Sequence, residues 1–87
     1  MRARRIVGWN LRRIRVERGL SLEELAGDSE VDSSTVARIE RSTVNASIDI
    51  LERLAKALRV SVGALLVEPQ PGATAPKPLR AGRRARR

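Results

Sequence analysis

LSLEELAGDSEVDSSTVARIERS, Leu20–Ser42, reads as two short helices joined by a tight turn. Ser21 is a good helix N-cap, and Glu24 three residues later completes a capping box, in which hydroxyl and carboxylate each satisfy an orphan backbone N–H. Leu22, Leu25 and Ala26 then recur at helical spacing. The polar stretch Gly27–Glu30 interrupts that pattern before Val31. Either Asp32 or Ser33 can cap a second helix, with Val36 and Ile39 on one face and Thr35, Arg38 and Arg41 on others. Both helices are too short to be stable alone, so each needs the other and a third partner. The small Ala26 lets the two approach closely.

Upstream, Met1 to Arg18 reads as mostly helix. Val7, Leu11 and Ile14 follow i, i+4, i+7 and face a core. Arg12, Arg13 and Arg18 lie mainly off that stripe, while Arg15 sits at its edge. Gly19 is a natural C′ residue. Trp9, the only aromatic, reads as a partly buried packing residue, since base stacking ordinarily calls for a second aromatic. Downstream, Thr43–Ala46 is a loop and Ser47 caps a strongly patterned helix. Its stripe is Ile48, Leu51, Leu54, Ala55 and Leu58, and Asp49 near its start suits the helix dipole. Ser61 caps a last short helix ending at Leu65 and Leu66, with Val60 and Val62 closing the core.

The domain therefore runs over residues 1–67. Residues 68–87 carry all four prolines and end LRAGRRARR. With Leu79 as its only large apolar residue, that segment cannot offset its ordering entropy and is expected to be a disordered basic tail. The net charge is +8. Residues 1–67 hold 12 Lys/Arg and 9 Asp/Glu, giving +3, and residues 68–87 hold 6 and 1, giving +5. Such an excess favours a polyanion, chiefly through counterion release. The tail cations suit phosphates, RNA or an acidic protein surface, or simply a solvated segment.

The residue inventory narrows the function classes. No cysteine means no disulfide framework and no thiolate metal site, and no histidine removes the usual neutral-pH base. Carboxylates are scattered along helix surfaces, and the serines have capping roles without an adjacent base. The expectation is no enzyme, no metal and no cofactor. No apolar run approaches the ~20 residues needed to span a bilayer, and the basic N-terminus lacks the apolar core of a secretory signal. A cytoplasmic protein with no membrane partner and no small-molecule ligand is expected.

Three motifs, RxxRGLSxEELA, then VDSSTVARIER, then SxxxLxRLAKALxVSxxxLL, occur in that order at a spacing that resembles the Cro/C1-type, or XRE, helix-turn-helix family. The resemblance covers residues 7–66 and implies an all-α, compact five-helix bundle of the lambda-repressor-like type. It also implies double-stranded DNA binding, with a recognition helix from Ser33 or Ser34 to about Arg41 in the major groove. Ser33, Ser34, Ala37 and Arg38 match positions that face base edges. Thr35 and Thr43 match phosphate-contacting positions, and Arg41 adds a cation beside them. Arg15 and Glu40 match a pair that bridges helix 1 and helix 3, and the bridge would neutralise a glutamate that otherwise repels phosphate.

The chain departs from the family pattern at five points. Leu22 stands where glutamine usually contacts phosphate, leaving only the backbone amides of that helix end for the task. Glu30 replaces a common turn glycine, so it must either accept strained angles or change the turn. Ser29 replaces an apolar residue, Ser42 a glycine and Ala46 a proline. Glu30 and Asp32 add negative charge near the expected DNA face. Arg38 is then the only long side chain positioned to read a base, and arginine suits the O6 and N7 of guanine.

Three function classes compete. A transcriptional regulator needs only a positioned helix and phosphate anchors. Family members commonly act as homodimers on two-fold-related half-sites, and Ile50, Val62 and Leu66 are candidate interface residues or ordinary core. A protein-interaction module, such as an antitoxin or adaptor, would use DNA secondarily and would show little salt dependence. An enzyme finds no support. A regulator of this kind would be cytoplasmic and associated with the nucleoid.

Overall fold

The computed structural model describes residues 2–70; the tail expected over 68–87 lies outside the described residues from residue 71 onward. Four α-helices follow in order, α1 (Arg2–Glu17), α2 (Leu22–Ser29), α3 (Ser33–Glu40) and α4 (Ile48–Leu58), and a 3-10 turn, Val62–Leu66, closes the order. The fifth element of the expected bundle is thus 3-10, a form suited to five residues between a cap and an extended exit. Among the described residues there is no strand and no helix long and apolar enough to cross a membrane.

Each start follows from its cap. The Ser21 hydroxyl accepts the Glu24 amide at 3.0 Å while the Glu24 carboxylate accepts the Ser21 amide at 2.8 Å. Asp32 caps α3, Ser47 caps α4 and Ser61 caps the 3-10 turn. The ends share one device. One or two residues past each helix the backbone turns left-handed, at Gly19, Glu30, Ser42 and Arg59, with φ between 58° and 73°. The next amide then returns to the carbonyl five residues back: Leu20 to Arg15, Val31 to Ala26, Thr43 to Arg38 and Val60 to Ala55. This is the Schellman arrangement, in which an apolar residue after the turn usually covers the cap. Leu20 and Val31 are buried and Val60 is half-buried, whereas the corresponding residue after α3 is the exposed Thr43.

The core is one cluster. Val7, Leu11 and Ile14 of α1 meet Leu25, Val36, Ile39, Leu51, Leu54, Leu58 and Leu65, and burying each large aliphatic side chain contributes about 1.5–3 kcal/mol. α1 packs on α3 and on the 3-10 turn, α2 on α3 and α4, and α4 on the 3-10 turn. Ile48, placed on the α4 stripe by its spacing, is instead 75% exposed. It is the first residue of the helix, at the rim where the core has not yet begun, and the stripe starts one turn later at Leu51. Leu66 and Val67 are also exposed, at 50% and 61%.

Two polar side chains tie the far end of the chain to α1. The buried Asn10 amide Nδ2 donates to the carbonyls of Leu65 at 3.0 Å and Val67 at 2.7 Å. Arg18 Nε donates to the Leu58 carbonyl at 2.9 Å. Both give helix-end carbonyls the partners that the helix itself cannot supply.

Candidate nucleic-acid interface

α3 is amphipathic over two turns. Val36 and Ile39 are buried beneath it, while Ser33, Ser34, Arg38 and Arg41 are exposed and Thr35 and Ala37 are half-buried. The four expected base-facing residues, Ser33, Ser34, Ala37 and Arg38, all lie clear of the core, with Arg41 beside them. Among the described residues neither Arg38 nor Arg41 has an ion-pair partner, so both guanidinium donor sets are available.

Two hydroxyls on this edge are already engaged. Ser34 Oγ donates to the Asp32 carboxylate, which also accepts the Ser34 amide at 3.1 Å. The Ser34 hydroxyl and amide hold the Asp32 carboxyl below its ordinary value of 3.8, with smaller help from the Thr35 amide and the charge of Arg38. Thr43 Oγ1 donates to the Arg38 carbonyl at 3.1 Å. Since a phosphate oxygen only accepts, the donors ready on this edge are Arg38, Arg41, Ser33 and the half-buried Thr35. Leu22 is half-buried against the core and offers no side-chain donor, so the first-turn amides of α2 that the Ser21 cap leaves unused, those of Leu22 and Glu23, are the donors at this helix end.

The angle of α3 is set from α1. Arg15 Nε and Nη2 donate to the two Glu40 carboxylate oxygens at 2.6 and 3.1 Å, and Nη1 donates to the Leu20 carbonyl at 2.8 Å. Both side chains are 8% exposed. The fork geometry of a guanidinium satisfies two elements at once, and Glu40 presents no free charge to a polyanion. Gly8 makes the close approach possible. A Cβ there would lie 2.7 and 2.8 Å from the carbonyl oxygens of Ile39 and Glu40 and 2.9 Å from Ser42 Oγ. Sequence reading passed over Gly8, although a glycine inside a helix, costing about 1 kcal/mol against alanine, signals a packing reason. It also passed over Asn10, whose partners are the distant carbonyls of Leu65 and Val67.

The departures from the family pattern resolve individually. Glu30 keeps the turn and accepts left-handed angles, φ 58° and ψ 37°. Ser42 does the same at φ 65°. Ser29 is buried, and its hydroxyl donates to the Leu25 carbonyl at 2.7 Å, so the end of α2 closes without an apolar side chain.

A helix-turn-helix family model, HTH_3, matches residues 11–65. The chain is 37% identical over 67 residues to a hypothetical transcription factor of Neisseria meningitidis serogroup B, covering 77% of this chain and 63% of that protein. It is 41% identical over 64 residues to the HTH-type transcriptional regulator SinR of Bacillus subtilis, covering 72% and 58%. Among solved structures, the restriction-modification controller protein C.AhdI from Aeromonas hydrophila superposes with a TM-score of 0.69 at 37% identity, over 71% of this chain and 94% of that one. The matched region spans about three-fifths of the length of the two curated relatives.

Proposed function

Because this chain belongs to the Cro/C1-type helix-turn-helix family, we propose that it binds double-stranded DNA as a transcriptional regulator, with α3 entering the major groove. The observation that carries the reading is the orientation of α3. Its apolar face is buried, its outward face carries Arg38 with Arg41 at the C-cap, neither ion-paired among the described residues, and its tilt is fixed by the Arg15–Glu40 pair. Relatives described as a transcription factor, a transcriptional regulator and a restriction-modification controller protein support it.

In this reading Arg38 bonds guanine through O6 and N7, a contact worth about 1–3 kcal/mol of discrimination. Ser33, Ser34 and Ala37 shape the fit to neighbouring bases. Arg41, Thr35, Thr43 and the amides beside Leu22 hold phosphates, which sets register and supplies affinity. Thr43 exchanges its bond to the Arg38 carbonyl for one to phosphate. The protein acts as a homodimer on two-fold-related half-sites about one helical turn apart, in the cytoplasm and at the nucleoid. Exposed Leu66 and half-buried Ile50 and Val62 are the apolar residues offered for pairing.

Selection of bound sites from random duplex DNA tests the proposal. An enriched two-fold-symmetric motif is expected, with binding that weakens steeply as salt rises. Arg38→Ala is expected to lower affinity and relax preference at one position of each half-site. No enrichment at low salt would refute DNA reading, and unchanged base preference in Arg38→Ala would remove Arg38 from the reading role.

A further inference from the structure

The first turn of α1 carries Arg2, Arg4 and Arg5 and no acidic residue. All three are exposed. Cations at this end of a helix oppose the macrodipole, and like charges in one turn repel, so the fold gains little from them. Arg2 is paired with Glu68. Arg4 and Arg5 have no partner among the described residues.

Their position links them to the proposed DNA face. Arg4 lines a groove with Val44, Asn45 and Ala46, so the first turn of α1 lies against the loop that follows Thr43. The contact of Gly8 with the end of α3 keeps α1 in that place. On the other flank, Arg2 and Arg5 share a cleft with Trp9, Glu68 and Pro69. Asn10, bonded to Val67, holds that strand of chain down. No acidic residue follows Glu68 in the sequence, whereas six basic residues do. Arg4 therefore stands beside the α3–α4 loop, and Arg5, next to it on the same turn, stands on the flank where the basic segment departs.

We infer that Arg4 and Arg5 bind DNA phosphates and carry the contact beyond the α3–α4 loop, onto the backbone flanking each half-site. The inference rests on α3 being the reading helix. The partner is the phosphodiester backbone of duplex DNA, gripped without regard to sequence.

The test compares two double variants of the full chain on a duplex selected by the wild type. One is R4Q with R5Q. The other is R53Q with K56Q, which removes the same charge from a separate cleft on α4, lined by Asp28, Ser29 and Glu30 and by none of the residues around Arg4. Each phosphate contact contributes about 0.9 to the slope of log K against log salt. The first variant removes two contacts per protomer and is expected to reduce that slope by about 3.6 for the dimer, shorten the hydroxyl-radical footprint at the flanks and leave the selected sequence unchanged. Its melting temperature should hold or rise, because cations leave the positive end of a helix. The second variant should leave slope and footprint as they were. An unchanged slope and footprint in the first variant overturns the inference, and so does an equal reduction in both, which would mean that net charge acts at a distance. A wild type that binds no duplex overturns the α3 reading itself, a result distinguishable because it appears before any variant is compared.

Discussion

The polar contacts of the frame and those of the α3 edge differ in reach. In the frame, Asn10 bonds to carbonyls 55 and 57 residues away, Arg18 to one 40 away and Arg15 to a carboxylate 25 away. On the α3 edge, Ser34 bonds two residues back and Thr43 five. The first set joins elements and is buried or partly buried; the second is exposed and closes on its own helix. Removing a buried partner leaves a desolvated group unsatisfied, whereas an exposed local bond exchanges readily with water or a ligand oxygen. The molecule thus separates groups that hold shape from groups free to change partners.

The largest expected effect tests the frame. Arg15→Ala leaves Glu40 buried without its cation and should cost about 3–5 kcal/mol in urea unfolding. Replacing both by similar-sized apolar residues, Arg15→Met with Glu40→Leu, should restore most of that stability, since a buried pair is often neutral against a well-packed apolar one. A single variant that lost less than about 1 kcal/mol would break the distinction between frame and edge.

Gly8→Ala comes next. Two rigid carbonyls stand where the methyl would go, so α1 and α3 must separate, and a loss of about 1–3 kcal/mol is expected by thermal melting. Gly27→Ala is the internal control, because a Cβ there meets nothing within 4 Å. It should gain roughly 0.5–1 kcal/mol from backbone entropy and helix propensity.

At the turn, Glu30→Gly relieves a left-handed non-glycine residue and is expected to stabilise by about 0.5–1 kcal/mol. It also removes an acid beside α3, so DNA affinity should rise with it. The smallest effect is that of Asp32. Its carboxyl is held below the ordinary value of 3.8 by Ser34, so its contribution is fully present above that pH and is lost as pH falls through the lowered folded-state value. Asp32→Asn should erase this acid-limb increment in a pH series of unfolding curves while keeping an acceptor at the cap.

Much of this was legible in the sequence. Ser21, Ser47 and Ser61 cap as their residue types require, and Gly19 ends α1. The pairing of Arg15 with Glu40 was accessible through family resemblance, since periodicity alone left Arg15 at the margin of a stripe. What escaped depends on the third dimension. Ile48 fits the period of α4, but periodicity cannot say where a core begins. Asn10 looks like an ordinary polar break until Leu65 and Val67 return to it. Arg59 carries no mark of a left-handed position, because only the packing of Val60 behind it forces that turn. The side chains on the edge were named by analogy. That Ser34 and Thr43 spend their protons internally follows only from atomic geometry.

The missing side chain at Gly8 has an evolutionary corollary. Because main chain rests on main chain there, the tilt of α3 does not depend on which residues occupy its outer surface. If Ser33, Ser34, Ala37 and Arg38 read bases as proposed, they are then free to drift as a set, and a lineage could acquire a new target by rewriting those four letters while inheriting the hinge-free mount unchanged.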